Sequence, residues 1–142
     1  MKKLILSVCL IIGIASITTL PIQAEEYSYE ESIEVIEESI TRTTSTKIAK
    51  KTGSYKNSSG TVLWSVTVTG TFTYNGSTSS CTKSVVSTHI NNSRWSISKS
   101  SSSKSGNKAT ATAIAKCTSD GAVVSTVSKT VTLTCDKDGN LS

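Results

Sequence analysis

From Thr61 to Gly76 the chain alternates, T-V-L-W-S-V-T-V-T-G-T-F-T-Y-N-G. Trp64, Val66, Val68 and Phe72 share one parity, and Thr67, Thr69, Thr71 and Thr73 share the other. A period of two is the signature of a strand with one buried face. The same alternation marks strands near 46–51, 61–74, 77–88, 94–99, 108–118 and 122–135. Glycine and polar clusters separate them, and no proline after Pro21 interrupts them. Ser98 to Ser105 reads as an exposed low-complexity loop. Several antiparallel strands with one apolar face each must cover one another. The expected fold is therefore all-β: an antiparallel two-sheet sandwich, immunoglobulin-like in general shape, with a small barrel as the alternative. Trp64, Val66, Val68, Phe72, Val131 and Leu133 are its expected core.

Two turns bear on the register. Asn75-Gly76 is a hairpin signal. A two-residue turn there sets Tyr74 against Ser77, Phe72 against Ser79 and Gly70 against Cys81. At the second hairpin, a three-residue loop of Ser119, Asp120 and Gly121 puts Ala109, Ala111, Ala113 and Ala115 on the face of Val127, Val131 and Leu133. A two-residue turn at Asp120-Gly121 would put them opposite threonines, away from those aliphatics, so the longer loop is expected.

The first 40 residues are different. Met1 to Ala24 carries two lysines, an apolar run and a small-residue ending, the order of a secretory signal peptide cleaved between Ala24 and Glu25. Cys9 belongs to that segment. Tyr29, Ile33, Ile36 and Ile40 then recur at offsets of 4, 3 and 4, which matches a helix face. Glutamates fill most of the remainder, so this leader is expected as a marginal helix, a disordered spacer or a removable pro-segment. The chain divides into a signal peptide (1–24), an acidic leader (25–45) and a β-sandwich domain (46–142).

Charge sharpens that division. After residue 24 there are 13 basic and 10 acidic residues, and seven of the acids lie between Glu25 and Glu38. From Thr41 onward 13 basic residues face only three acids, a net +10. A basic domain attracts polyanions such as wall teichoic acids or acidic glycans. The acidic leader is placed to mask it in cis.

Three cysteines follow the signal: Cys81, Cys117 and Cys135. Export favours a disulfide. Cys117 and Cys135 fall at opposite ends of one hairpin and cannot meet. The bond is therefore expected between Cys81 and Cys135, with Cys117 as the alternative partner.

The series L-W-S-V-T-V-T-G-T-F-T-Y-N-G, S-S-C-T, N-N-S-R-W, K-S-G-N-K-A-T-A-T-A and T-V-T-L-T-C-D-K-D-G-N-L-S resembles a group of small secreted β-domain proteins of unknown function from Gram-positive (Firmicutes-type) gut bacteria. It covers roughly residues 55–142 plus the signal. The resemblance implies a compact exported β domain of bacterial origin and carries over no catalytic or binding residue.

Catalytic chemistry has little to draw on. His89 is the one histidine, and Asp120, Asp136 and Asp138 are the acids beyond the leader. A Cys–His nucleophile from Cys81 or Cys117 with His89 is formally available, but no spacing requires it. Asp136-Lys137-Asp138-Gly139-Asn140 resembles half a calcium loop, with its glycine misplaced and its distal glutamate missing. The three cysteines and His89 lack the paired spacings of zinc sites. No metal, cofactor or enzymatic activity is expected. Tyr55, Tyr74 and Arg94 are candidate glycan or surface contacts. The outward threonines suit an exposed strand face, with ice binding as the special case. The expected function is an exported, non-catalytic binding module with affinity for polyanions. It is secreted or loosely wall-associated, without a membrane span after cleavage. The alternative is a secreted toxin or antimicrobial with an acidic pro-segment ending near Thr41.

Overall fold

The computed structural model describes residues 26–142. The signal segment, Cys9 and the Ala24–Glu25 cleavage point lie outside the described residues. Seven strands follow in order: β1 (Ser28–Ile40), β2 (Ser45–Lys56), β3 (Val62–Tyr74), β4 (Ser79–Ile90), β5 (Trp95–Ser105), β6 (Lys108–Ser119) and β7 (Ala122–Thr134). They form a four-stranded sheet, β1-β2-β3-β4, and a three-stranded sheet, β5-β6-β7, antiparallel throughout. The sheets face each other as an open sandwich. Every sheet neighbour is also a chain neighbour, so the likeness to immunoglobulin domains is in the layers and not in Greek-key connections.

The core is alternation made solid. Trp64, Val66, Val68, Phe72, Val131 and Leu133 are buried, as expected. Opposite β3 stands a column of small residues, Ala109, Ala111, Ala113 and Ala115, all fully buried. At one end Tyr27, Tyr55, Trp64 and Trp95 pack ring against ring. Tyr27 stacks on Tyr55 at 5.2 Å, and Tyr55 meets Trp95 edge-on at 5.4 Å.

The leader is not a helix. Ser28–Ile40 is β1, paired along its length with β2. The offsets of 4, 3 and 4 have another cause. Tyr29, Ile33, Val35 and Ile40 register with Tyr55, Lys51, Ala49 and Ser45, the core-side positions of β2. A bulge between Val35 and Glu37 inserts Ile36, and one extra residue turns a step of two into an odd step. A bulged strand thus reads as a helix. β1 pairs with no strand but β2, and beyond it only single side chains meet, Glu38 with Tyr74 of β3 and Tyr29 with Lys129 of β7. Its apolar residues therefore stay open, with Ile33 41% and Ile40 76% exposed.

Three further expectations are corrected. Ser98–Ser105 belongs to β5 and not to a loop. Its hydroxyl-rich residues are held by pairing with β6 and by a two-residue turn at Gly106-Asn107, not by burial. At the β3–β4 hairpin, Asn75 is the start of a four-residue loop. Its side-chain Oδ1 accepts from the Ser77 and Thr78 amides at 3.0 and 2.8 Å, and only Gly76 has positive φ. Type I′ geometry would need both central residues there. Tyr74 therefore pairs with Ser79, Phe72 with Cys81 and, past a bulge, Gly70 with Ser84. At the β6–β7 hairpin the turn has two residues, with Asp120 and Gly121 both at positive φ. A bulge next to Cys117 and Thr118 restores the expected face, setting Ala111 against Val131 and Ala109 against Leu133.

Gly70 makes room for carbon, not sulfur. A Cβ there would lie 2.6 Å from the Phe72 ring and 3.0 Å from the Ala109 Cβ. Gly70→Ala is expected to destabilise the fold by about 1–3 kcal/mol through overpacking. Denaturant unfolding of the variant checks this, and an unchanged midpoint would show that the ring yields freely.

Candidate functional site

Charge is what the fold most visibly organises. β1 and β2 carry a ladder of ion pairs. Glu31–Lys51 at 3.4 Å and Glu38–Lys47 at 3.3 Å lie on the core side. Glu34–Lys50 at 3.2 Å and Glu30–Lys56 at 2.5 Å lie on the outer side. The acidic strand thus neutralises the lysines of its neighbour.

The second sheet has no such partner. Between Arg94 and Thr134 there are six basic residues and one acid, Asp120, which sits in a turn. Strand parity puts Lys99, Lys108 and Lys116 on the outer face, opposite the buried alanine column. Among the described residues no acid lies on the strands of that face. Around the lysines are Thr110, Thr112, Thr130 and Thr132, with Thr112 bonded to Thr130 at 3.0 Å. On the first sheet Thr52 and Thr67 bond at 2.9 Å, and Thr73 and Ser80 at 3.0 Å. Much of the hydroxyl capacity of these faces is spent across strands.

The expected glycan contacts are placed elsewhere. Tyr55 is 1% exposed inside the aromatic cluster, and Tyr74 is buried. Tyr74 donates its hydroxyl to Glu38 at 2.6 Å and packs its ring on Gly139. Arg94 is half-buried, and its Nε donates to the Thr118 carbonyl at 3.4 Å. Turn-adjacent tyrosines looked exposed in sequence, but β2 runs longer than expected and carries Tyr55 into the core, while Tyr74, at the expected end of β3, is covered by the tail at Gly139. His89 stands exposed on the outer face of β4, whereas Cys81 and Cys117 face inward. The fold therefore separates the histidine from both thiols. Among the described residues no group of acids, cysteines and histidine has the makings of a metal site.

Cys81, Cys117 and Cys135 are buried and none is in a disulfide, so the expected bond is not formed in the structure. Each thiol of the expected pair is turned to a nearby carbonyl, Cys81 to Lys83 at 3.3 Å and Cys135 to Asp136 at 3.6 Å. Burial pushes both thiols above the usual range, and the charge of Cys135 adds to the rise at Cys81. Their backbones flank one turn: the Cys81 amide donates to Gly106, and the Cys135 amide to Asn107. Cys117 sits at the far end of β6, opposite Trp95.

The same end of the sandwich as Cys81 and Cys135 is braced by side-chain caps. Thr41 accepts from the Thr44 amide, and Asn75 closes its own loop. Asp136 accepts from the amides of Asp138 and Asn140 and from the Asn140 side chain, which holds its carboxyl below the usual range. Hydrogen bonds from Tyr74 and Lys47 do the same for Glu38. Gly139 follows with positive φ against the Tyr74 ring, and Lys47 donates to its carbonyl at 2.5 Å.

No family of proteins, no curated protein and no solved structure matches this chain.

The two lowered carboxyls set a pH dependence. A depressed carboxyl contributes stability above its unfolded pKa, and that stability is lost as pH falls through the folded value. Acidification should therefore release the C-terminal turn before the core. Amide exchange is expected to accelerate at Asp138 and Asn140 while Val66 and Val68 stay protected. Simultaneous loss at all four would contradict it.

Proposed function

We propose that the chain is an exported, non-catalytic binding module that recognises polyanions through the outer face of β5-β6-β7. One observation carries this reading: the strands of the first sheet balance five glutamates against five lysines, four of them paired to β1, while the strands of the second sheet carry lysines and no acid. Lys99, Lys108 and Lys116 rise from a flat lattice of serine and threonine, a surface that meets a charged polymer without a deep pocket. Cell-wall polyanions and acidic glycans are the class of partner. The signal-like start of the sequence supports a secreted or wall-associated setting. Masking by the acidic strand is confined to its own sheet and leaves the proposed face open.

Binding to isolated cell walls or immobilised polyphosphate should weaken with added salt, since exposed charges are screened. Replacing Lys99, Lys108 and Lys116 with glutamine together should weaken it by about 1–3 kcal/mol, at up to roughly 1 kcal/mol per exposed charge. Retention independent of salt, or unaffected by the triple variant, would remove the reading.

In an oxidising setting the placement of Cys81 and Cys135 on either side of one turn favours their pairing once the side chains rotate toward each other. Closing that loop is worth about 4 kcal/mol in the chain-entropy account. Non-reducing peptide mapping of protein from culture fluid should recover a Cys81–Cys135 peptide. A Cys117–Cys135 peptide would contradict the topology, because those residues lie at opposite ends of the β6–β7 hairpin.

A further inference from the structure

Three chain segments converge at the braced end of the sandwich: the β1–β2 turn, the β3–β4 turn and the C-terminal tail. Between them lies an open cleft of about 250 Å³. Thr41, Arg42, Thr43 and Thr44 form one wall, and Lys137 and Asp138 stand on another. The Gly76 amide donates to the Lys137 carbonyl at 2.8 Å and ties two of the segments together. Each segment is also fixed by its own cap, at Thr41, Asn75 and Asp136. The walls are thus set before any ligand arrives, which lowers the ordering cost of binding.

The lining is hydroxyl-rich and carries two cations against one anion. Lys137 is partly answered by Asp138 at 3.1 Å. Arg42 has no carboxylate within ion-pair distance among the described residues and is exposed. A guanidinium matches an oxyanion with two parallel N–H donors. The exposed threonine hydroxyls beside it both donate and accept, as hydroxyls of a polyol do. The volume lies just under the roughly 300–1,000 Å³ of drug-sized ligand pockets, so it suits one small unit and not a long segment.

We propose that this cleft binds a polyol unit carrying one oxyanion, with Arg42 and Lys137 on the anion and the threonine hydroxyls on the polyol. The site deepens the polyanion reading and rests on it for the sign of the ligand. It would hold one unit of a chain whose neighbouring charges lie on the lysine face. A uronic acid and a glycerol phosphate share this chemistry.

The test is an amide chemical-shift titration of the full secreted protein with galacturonate, glycerol phosphate and glucose at millimolar concentration. One or both anions should shift the amides of Arg42 to Ser45, Gly76 and Lys137, and glucose should not. Galacturonate alone would identify a uronic acid, and glycerol phosphate alone a phosphodiester polymer. The double variant Arg42→Gln, Lys137→Gln should weaken the shifts by about tenfold or more, as loss of charge-assisted bonds requires. Its retention on polyphosphate should persist through Lys99, Lys108 and Lys116. Equal shifts with glucose, or none with either anion while retention persists, would overturn the cleft and leave the polyanion reading standing. Loss of retention by the wild-type protein would overturn that reading, and shifts at the cleft would then be scored on their own.

Discussion

The close approach of β3 to β6 is the constraint on which the other packing depends. Cα atoms of the two strands come within 8 Å of each other, whereas facing sheets ordinarily stand about 10 Å apart. Such contact is open only to small side chains. Ala109, Ala111, Ala113 and Ala115 supply them on β6, and Gly70 supplies the gap on β3. Phe72 then lays its ring over Gly70. Bulk is displaced to the ends, where Tyr27, Tyr55, Trp64 and Trp95 fill one side and Tyr74 lies against Gly139 on the other. The bracing of the turn-rich end follows from this, because a buried Tyr74 needs the tail as its cover.

Much of this fold can be read from the residues, and the misses share a cause. Strict alternation from Trp64 to Phe72 and the alanine column identified the core and the class. Wherever a bulge enters, alternation loses its phase. Ile36 in β1 imitates helical spacing, and the irregularities at Thr71–Phe72 and Cys117–Thr118 move registers by one residue. A bulge is decided by what lies across the strand, and its local residues do not announce it. The serine run of β5 fails for the complementary reason. It buries nothing, and its strand character comes from pairing with β6. Tyr55 and Tyr74 were misjudged because exposure depends on where a neighbouring strand stops. The charge division was legible in outline, but its partner strand was not. Only the β1–β2 pairing shows that the acids answer the lysines of the first sheet.

That pairing changes the meaning of the acidic segment. As a tail it would screen any basic surface within reach. As a strand it is committed to four lysines on one neighbour. Pairs of this kind are individually weak, so their effect lies less in stability than in distribution. They make the first sheet nearly neutral and leave the second sheet positive.

The same charges bear on the open edges of the sandwich. β1 ends the first sheet with an unpaired row of backbone groups and exposed Ile33, Val35 and Ile40. An edge of this kind invites pairing with another chain. Two copies meeting edge to edge through β1 would set glutamates against glutamates, which opposes that union. The facing edge of the second sheet is guarded differently. Lys129 of β7 points inward between the Tyr29 and Tyr55 rings, at 4.8 and 5.7 Å from their centres. Burial lowers its pKa. Lys51 reaches across from β2 to the Thr132 carbonyl at 3.1 Å and occupies an acceptor on β7. Inward lysines on a β edge carry a desolvation cost that a purely apolar seam would avoid, and that cost is the sign of an edge kept closed to other strands.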